Sequence, residues 1–477
     1  PLSIGQQALW LMYCEDPASA AFNVSLPLRL RRSLDPTLLQ RALDRLLHAH
    51  PVLAGRFIEV QGQARCLPAG LTRMPLTRAE PAADPAIEPA PAALIAQLTE
   101  HAAAPFDLAA GAVRALWLPG DGADLLMLSF HHLVVDGHSL ALIGQRLVDE
   151  YAGLAGGEPP ARGNVAADYD DYVGWEHALL TGPRGARMEA YWRRRLDGPV
   201  PTLQLPTDRP RPPVRRATGA AVAFEIDAAL AARLQALASD QRSRLVNVLL
   251  CAYQVLLRRC TAQERVWVGV PTAVARNEPR FAETVGYLVN LMVVTARFPA
   301  DQDLSFTELL KATTAEMLAS LFHQPYPFSS LVRQLRPRRD RSLTPLIQTT
   351  FSFTRETLLP NGFAAAGLQA DLIDLPQMAG QHDLALAFIR ERPLRGLFLY
   401  NTDLFDRSTV ERLAGQFRRL LAAIAEDPGC PIDSLALLSS DDLARLRALN
   451  RQDAPPAPGP ALMARFEAQV ARTPERP

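Results

Sequence analysis

The sequence predicts a layered α/β protein in two halves, and three observations carry that reading. Ala123 to Phe130 is an almost unbroken apolar run of strand length, and a helix pattern from Ser139 to about Tyr151 follows it after a short polar turn. Beyond residue 216 the alternation repeats: a strand at Val222 to Ile226, a helix at Ala228 to Ala238, an apolar helix at Val246 to Arg259 and a buried strand at Val266 to Val270. Between the halves, Gly182 to Arg216 carries Leu205-Pro206-Thr207-Asp208-Arg209-Pro210-Arg211-Pro212-Pro213, too rich in proline for a regular element.

In chain order, Ser3 and Gln6 have the spacing of a capping box ahead of an amphipathic run with Leu9 and Trp10. Leu28-Arg29-Leu30 reads as a strand. Asp35 to His48 reads as a helix with Leu38, Leu39, Ala42, Leu46 and Leu47 inward. Ala79 to Pro91, rich in Ala and Pro, reads as a loop. Ala454 to Pro460 has the same composition and reads as a linker.

The 477 residues balance 50 acidic against 50 basic side chains, so no bulk field draws the chain to nucleic acid or an anionic membrane. Lys311 is the only lysine, and the arginine excess fits a GC-rich genome. No run approaches the ~18 apolar residues of a spanning helix. Pro1-Leu2-Ser3-Ile4-Gly5 lacks the regions of a signal peptide, and the first residue, which is not methionine, reads as that of a segment from a longer protein. The five cysteines are scattered and never in CxxC spacing. They read as reduced thiols of a cytoplasmic protein, with no metal site.

The strongest chemical signal is His131-His132-Leu133-Val134-Val135-Asp136-Gly137. Neighbouring strand residues face opposite sides, so only one of the histidines serves a given cavity. Asp136 can fix the turn by accepting backbone or arginine hydrogen bonds. Gly137 permits a positive φ or a close backbone approach to a ligand, and Ser139 is placed to cap the next helix. An isolated His-His pair is more often a satisfied strand end, but four such residues within seven positions at a strand–helix junction favour a site.

This stretch matches the HHxxxDG signature of the condensation-domain superfamily, whose members resemble chloramphenicol acetyltransferase. Further segments resemble that family in its own order. They are Leu2-Ser3 with Gln6, Leu9 and Trp10, then Pro105-Phe106-Asp107-Leu108, then Tyr169 to Trp175, then Tyr191-Trp192, then Leu205-Pro206-Thr207-Asp208. The second half adds Val268-Gly269-Val270-Pro271 with Arg276, Val285-Gly286-Tyr287-Leu288-Val289-Asn290, His323-Gln324 with Pro327-Phe328, and Tyr400-Asn401-Thr402-Asp403-Leu404-Phe405. The tail, with Leu462, Phe466, Gln469, Ala471, Arg472, Thr473 and Pro474, is similar to the start of an adenylation domain. One departure stands out: His382 occupies the usual phenylalanine position before Asp383-Leu384.

The resemblance implies two acyltransferase-like lobes, 1–180 and 181–450, in a V shape around a central tunnel, with 451–477 a linker and the start of an adenylation domain. It implies amide-bond formation between a thioester-bound acyl donor and an aminoacyl group on a carrier protein in a bacterial cytoplasm. Donor and acceptor carrier proteins would bring substrates on phosphopantetheine, or coenzyme A would carry the donor, with no bound cofactor. His132 and the backbone of Gly137 are the candidate catalytic groups, the latter for the oxyanion. His131, Asp136, Arg276 and Ser139 would support the site, with Asp136 paired to Arg276. Asn290 and His323 would shape loops, Trp10, Trp175 and Trp192 would be core, and His138 has no assigned role.

A thioester is already activated, so positioning, worth ~10⁵ M or more in effective molarity, outweighs the ~10²–10⁴-fold of general base catalysis. An α-amino group of pKa ~8 is partly neutral at pH 7, so His132 is expected to orient the amine and take its proton late. Gly5 to Trp10, Ala18 to Asn23 and Asp136 to Leu140 look like starter domains, which accept fatty acyl donors, or like domains that follow polyketide modules. Leu140 would then line an acyl channel. The alternatives are an elongation domain and a docking-only domain. An epimerisation domain fits the Ser139-Leu140-Ala141-Leu142-Ile143 run poorly, a heterocyclisation domain would replace the histidines by aspartates, and a plant-type acyltransferase would carry a DFGWG motif.

Overall fold

The computed structural model describes residues 1–68, 70–157, 166–337, 340–354, 362–376, 380–391, 393–450 and 462–475, without the side chains of Val274, Arg390 and Glu391. Residues 1–435 form one compact unit and 436–477 a second.

Two six-stranded mixed sheets organise the first unit. In the first, Asn23–Leu30 pairs antiparallel with Asp124–His131, which pairs antiparallel with Val113–Leu118; Leu76–Arg78 closes that edge in parallel. The other edge comes from far along the chain: Leu368–Leu372 pairs with Asn23–Leu30 and then with Gly362–Ala365. Strands of the C-terminal half thus complete the sheet that carries the histidines.

The strand Asp124–His131 shows why its sequence is apolar throughout. Leu126, Leu128 and Phe130 enter the large core with the helices Pro36–Ala49 and Gly137–Ala155, whereas Leu125 and Met127 face Leu94 and Leu98 of the helix Ala92–Ala103. Period-two alternation therefore feeds two cores. Each fully buried side chain of this size contributes about 1.5–3 kcal/mol.

The second sheet runs Gly219–Ile226, Leu394–Asn401, Leu384–Glu391, Thr349–Phe353, Arg265–Thr272, Asn290–Arg297, with parallel pairing on both sides of Thr349–Phe353. Phe224, Phe388, Phe398 and Phe417 cluster against it, the last from the helix Arg407–Glu426.

Most predicted elements are present, with longer bounds. The helix expected from Ser139 spans Gly137–Ala155, and the apolar helix spans Leu245–Thr261. The connector is corrected: its first part forms the helix Pro183–Arg195, started by a proline that needs no N–H in the first turn. Only 196–218 lacks a helix. Leu205 to Asp208 is tied to the Tyr400 to Phe405 motif, because Asp208 donates its N–H to Leu404 O at 2.9 Å and accepts from Asp406 N at 2.7 Å. The second unit contains Ser440–Leu449, with a capping box, and Leu462–Arg472. The expected linker at Ala454 to Pro460 lies outside the described residues. No described helix is long and apolar enough to cross a membrane.

Candidate active site

The two histidines diverge as strand alternation requires. His131, the last residue of its strand, is 3% exposed and ringed by Tyr13, Phe22 and Phe106. Its Nδ1 accepts the Leu133 N–H at 3.2 Å, and burial, then the neighbouring His132, pulls its pKa down to about 4. A neutral ring in a hydrophobic wall is a packing element.

His132 stands just past the strand and is only half-buried. Its backbone N–H donates to Phe22 O at 2.7 Å, and its Nδ1 lies 2.6 Å from Val135 O. A carbonyl only accepts, so Nδ1 carries the hydrogen and the neutral ring keeps its lone pair on Nε2. Tyr287 stands perpendicular to this ring with centroids 5.1 Å apart.

The turn after the histidines is locked by Asp136, whose side chain is 1% exposed. It caps the helix Gly137–Ala155 by accepting Ser139 N–H at 2.7 Å, and it also accepts Ser139 Oγ–H at 2.8 Å and Leu288 N–H at 3.2 Å. Arg276 Nη2 donates to Asp136 Oδ1 at 3.0 Å, and Arg276 Nη1 reaches Phe281 O and Ala282 O, each at 3.3 Å, and Thr284 O. The expected Asp136–Arg276 pair is present and binds the 281–284 turn to the histidine motif.

Ser139 is not the cap. It sits inside the first turn, where its Oγ bridges to the second half of the chain, accepting Gly286 N–H at 3.1 Å and Arg276 Nη2–H at 3.0 Å. Gly137 does not use a left-handed φ. It opens the helix, exposed, and a Cβ there would meet nothing within 4 Å. Its N–H lies in the first turn, where no intrahelical acceptor exists and the helix dipole is positive. Leu140 is 6% exposed and belongs to the core.

Several residues of the quoted motifs support the site in ways their spacing does not reveal. Gln6 Nε2 donates to Leu133 O at 3.0 Å, so the first helix props the motif. Ser3 Oγ lies 2.9 Å from Tyr169 Oη, which in turn donates to Tyr287 O at 2.9 Å. Gly286 has no room for a side chain, since a Cβ would come within 2.0 Å of the Tyr169 ring, and one at Gly5 would come within 2.7 Å of Tyr287. The signal for Tyr287 lay inside the Val285 to Asn290 motif, but its packing on His132 is a tertiary fact.

The other motif residues shape loops or fill the core. Asn290 Nδ2 donates to Gln324 O at 2.7 Å and Tyr326 O at 2.8 Å, and its Oδ1 accepts Phe328 N–H at 2.9 Å. His323 stacks on Tyr191 at 3.7 Å. Trp10 and Trp192 are buried, and Trp175 packs partly buried against the core. His138 Nε2 lies 3.2 Å from Ala282 O. Among the described residues the buried Nδ1 of His382 has no hydrogen-bond partner, while Asp383 beside it is paired with Arg211. Among the described residues no three potential ligands gather around a metal position.

Comparison with known proteins agrees with this arrangement. A linear gramicidin synthase of Brevibacillus parabrevis is 32% identical over 458 residues, and polyketide synthase PksN of Bacillus subtilis is 30% identical over 490. The alignments cover 94% and 100% of this chain but only 9% of either relative. The X-domain from teicoplanin biosynthesis superposes with a TM-score of 0.83 at 24% identity, covering 92% of this chain and 97% of that one. The starter condensation domain of rhizomide synthetase RzmA, solved with C8-CoA, gives 0.76 at 22%, with the same coverage. These structures share the chloramphenicol acetyltransferase-like fold. The condensation-domain model matches residues 1–446, and with the motif geometry above it places this chain in the condensation-domain family of nonribosomal peptide synthetases.

Proposed function

We infer that this chain catalyses amide-bond formation with His132 as its proton acceptor. The observation that carries the reading is the Nδ1–H···O contact of His132 with Val135, 2.6 Å, which leaves Nε2 as the basic nitrogen of a half-buried ring. An acceptor amine held at Nε2 attacks the thioester carbonyl, a C–N bond forms, and the amine proton passes to Nε2. The tetrahedral centre collapses by breaking its C–S bond, and the proton leaves with the thiolate. Gly137 N–H, without a partner among the described residues and at the positive end of a helix, suits the oxyanion. Asp136, Arg276, Ser139 and His131 hold this geometry without touching substrate.

Condensation domains use substrates carried on phosphopantetheine and work with carrier and adenylation domains. For this chain we assign donor and acceptor carrier proteins, with coenzyme A as a second donor form, lobes at 1–180 and 181–450, and an adenylation domain beginning within 451–477. A fatty acyl donor of the starter type is the finer reading. In its support, the starter-like segments converge on one histidine: Gly5 lies under Tyr287, Phe22 O holds the His132 N–H, and Asp136 to Leu140 opens the adjoining helix.

Single-turnover condensation followed by intact-protein mass spectrometry tests this. An aminoacyl-loaded carrier is offered fatty acyl-coenzyme A, fatty acyl carrier or aminoacyl carrier, with His132→Ala as control. N-acylated carrier formed from a fatty acyl donor alone, and far more slowly with His132→Ala than with wild-type protein, bears out the starter reading; product from aminoacyl donors alone makes it an elongation domain. Rates equal to the uncatalysed background with every verified carrier would leave a docking role.

A further inference from the structure

We propose that Tyr287 is a second catalytic side chain, whose phenol donates a hydrogen bond to the thioester carbonyl oxygen as negative charge builds there. The proposal rests on the reading of His132 as proton acceptor, and three observations carry it beyond that reading.

The first is placement. The Tyr287 ring stands at 88° to that of His132, with centroids 5.1 Å apart. A reacting carbon flanked by one hydrogen bond to a base and another to an oxyanion donor needs groups about 6 Å apart. Tyr287 is a side chain with a hydroxyl donor in direct ring contact with the proposed base.

The second is an unused hydroxyl. Among the described residues the phenol oxygen of Tyr287 has no hydrogen-bond partner, and it is not among the fully buried atoms left unpaired. Tyr169 and Tyr172, packed against each other close by, both spend their hydroxyls on protein partners, Tyr287 O and Glu176 respectively. A half-buried tyrosine in ring contact with His132, its hydroxyl unspent on the described residues, is a donor awaiting an acceptor. Burial and the nearby Asp136 push this phenol up to about 12, which keeps it a donor through the physiological range.

The third is rigidity. The backbone at 286–287 is clamped by Ser139 Oγ on Gly286 N–H at 3.1 Å and by Tyr169 Oη on Tyr287 O at 2.9 Å. Gly5 and Gly286 are both pared to hydrogen where a Cβ would strike Tyr287 or Tyr169. Such clamping makes an oxyanion donor effective, since no reorganisation is needed as charge develops. No proton changes hands at Tyr287; the amine proton still goes to His132, and the electron pair of the broken C–S bond leaves on sulfur.

Tyr287→Phe keeps the ring and removes only the hydroxyl. The expected result is a single-turnover rate about 10²–10³-fold below wild type, with unchanged half-saturation for the acceptor carrier and an unchanged melting curve. A wild-type rate for Tyr287→Phe would overturn the proposal, as would a deficit confined to carrier half-saturation. Tyr287→Leu, which also removes the ring, should be slower still; if it alone is slow, packing is the whole role of Tyr287 and the proposal fails. The same exchange on a His132→Ala background separates the two readings. A Tyr287→Phe deficit that persists there supports the phenol as a donor in its own right. Full activity of His132→Ala alone would remove the base, and the phenol would then stand or fall by that deficit.

Discussion

Arg276 Nη2 lies 3.0 Å from Asp136 Oδ1, joining residues 140 positions apart, and both side chains are nearly shut away from water, 9% and 1% exposed. Among the described residues neither side chain has a second ion-pair partner. Removing one member of a buried pair leaves the other uncompensated, at a cost of about 3–5 kcal/mol. Arg276→Ala should therefore destabilise the fold by that amount, read as a lowered urea midpoint. Arg276→Lys should recover little, because an ammonium cannot span Asp136 and the carbonyls of residues 281, 282 and 284 together.

His132→Ala should leave a measurable rate. The hydrogen-bonding of Asp136, Arg276 and Ser139 does not pass through the imidazole, so the frame of the site survives its removal. If positioning supplies most of the acceleration, loss of the base should cost about 10²–10⁴-fold and still leave acyl transfer above the uncatalysed background. Quenched single-turnover assays read this directly. A residual rate indistinguishable from background would make proton transfer the larger share of catalysis.

What the sequence disclosed and what it withheld divide on physical lines. The fate of the histidines followed from strand alternation, and the Ser3–Gln6 capping box follows from local spacing. The sequence cannot tell whether Asp136 or Ser139 caps the helix, because both are good capping residues; only the φ of Asp136, −123°, shows which one stands outside the helix. Strands Gly362–Ala365 and Leu368–Leu372 have no local signal for their sheet: the bond between Arg31 and Asp371 spans 340 residues. The Tyr287–His132 contact is of the same kind, visible only once both halves are folded.

Acid should weaken the fold well before carboxylates are exhausted. His50 and His131 are each 3% exposed, and burial lowers them from 6.5 to about 3 and about 4, helped by Arg146 and His132 respectively. Between those values and 6.5 the unfolded chain binds protons that the folded chain refuses, so stability rises with pH across the window and is lost as pH falls through it. Each histidine contributes a slope of about 1.4 kcal/mol per pH unit. Urea titrations at pH 7, 6 and 5 should show it. His50→Gln, which keeps an acceptor for Arg146 Nη1, 3.3 Å away in the native chain, should remove one histidine's share of the slope.

Two glycines should answer alanine in opposite ways. A Cβ at Gly286 would lie 2.0 Å from Cδ2 of Tyr169, which is itself fixed by Ser3 and by Tyr287 O. The ring cannot retreat without breaking those bonds, so Gly286→Ala should cost about 1–3 kcal/mol and displace Tyr287 from His132. Gly174 lies exposed in the helix Tyr169–Thr181, where a Cβ meets nothing within 4 Å. Gly174→Ala should stabilise the chain by about 0.5–1 kcal/mol, by removing freedom from the unfolded state. Condensation rates should fall with the first substitution and stay at wild type with the second. Equal losses of rate would mean that the Tyr169–Gly286 contact has no special hold on the site.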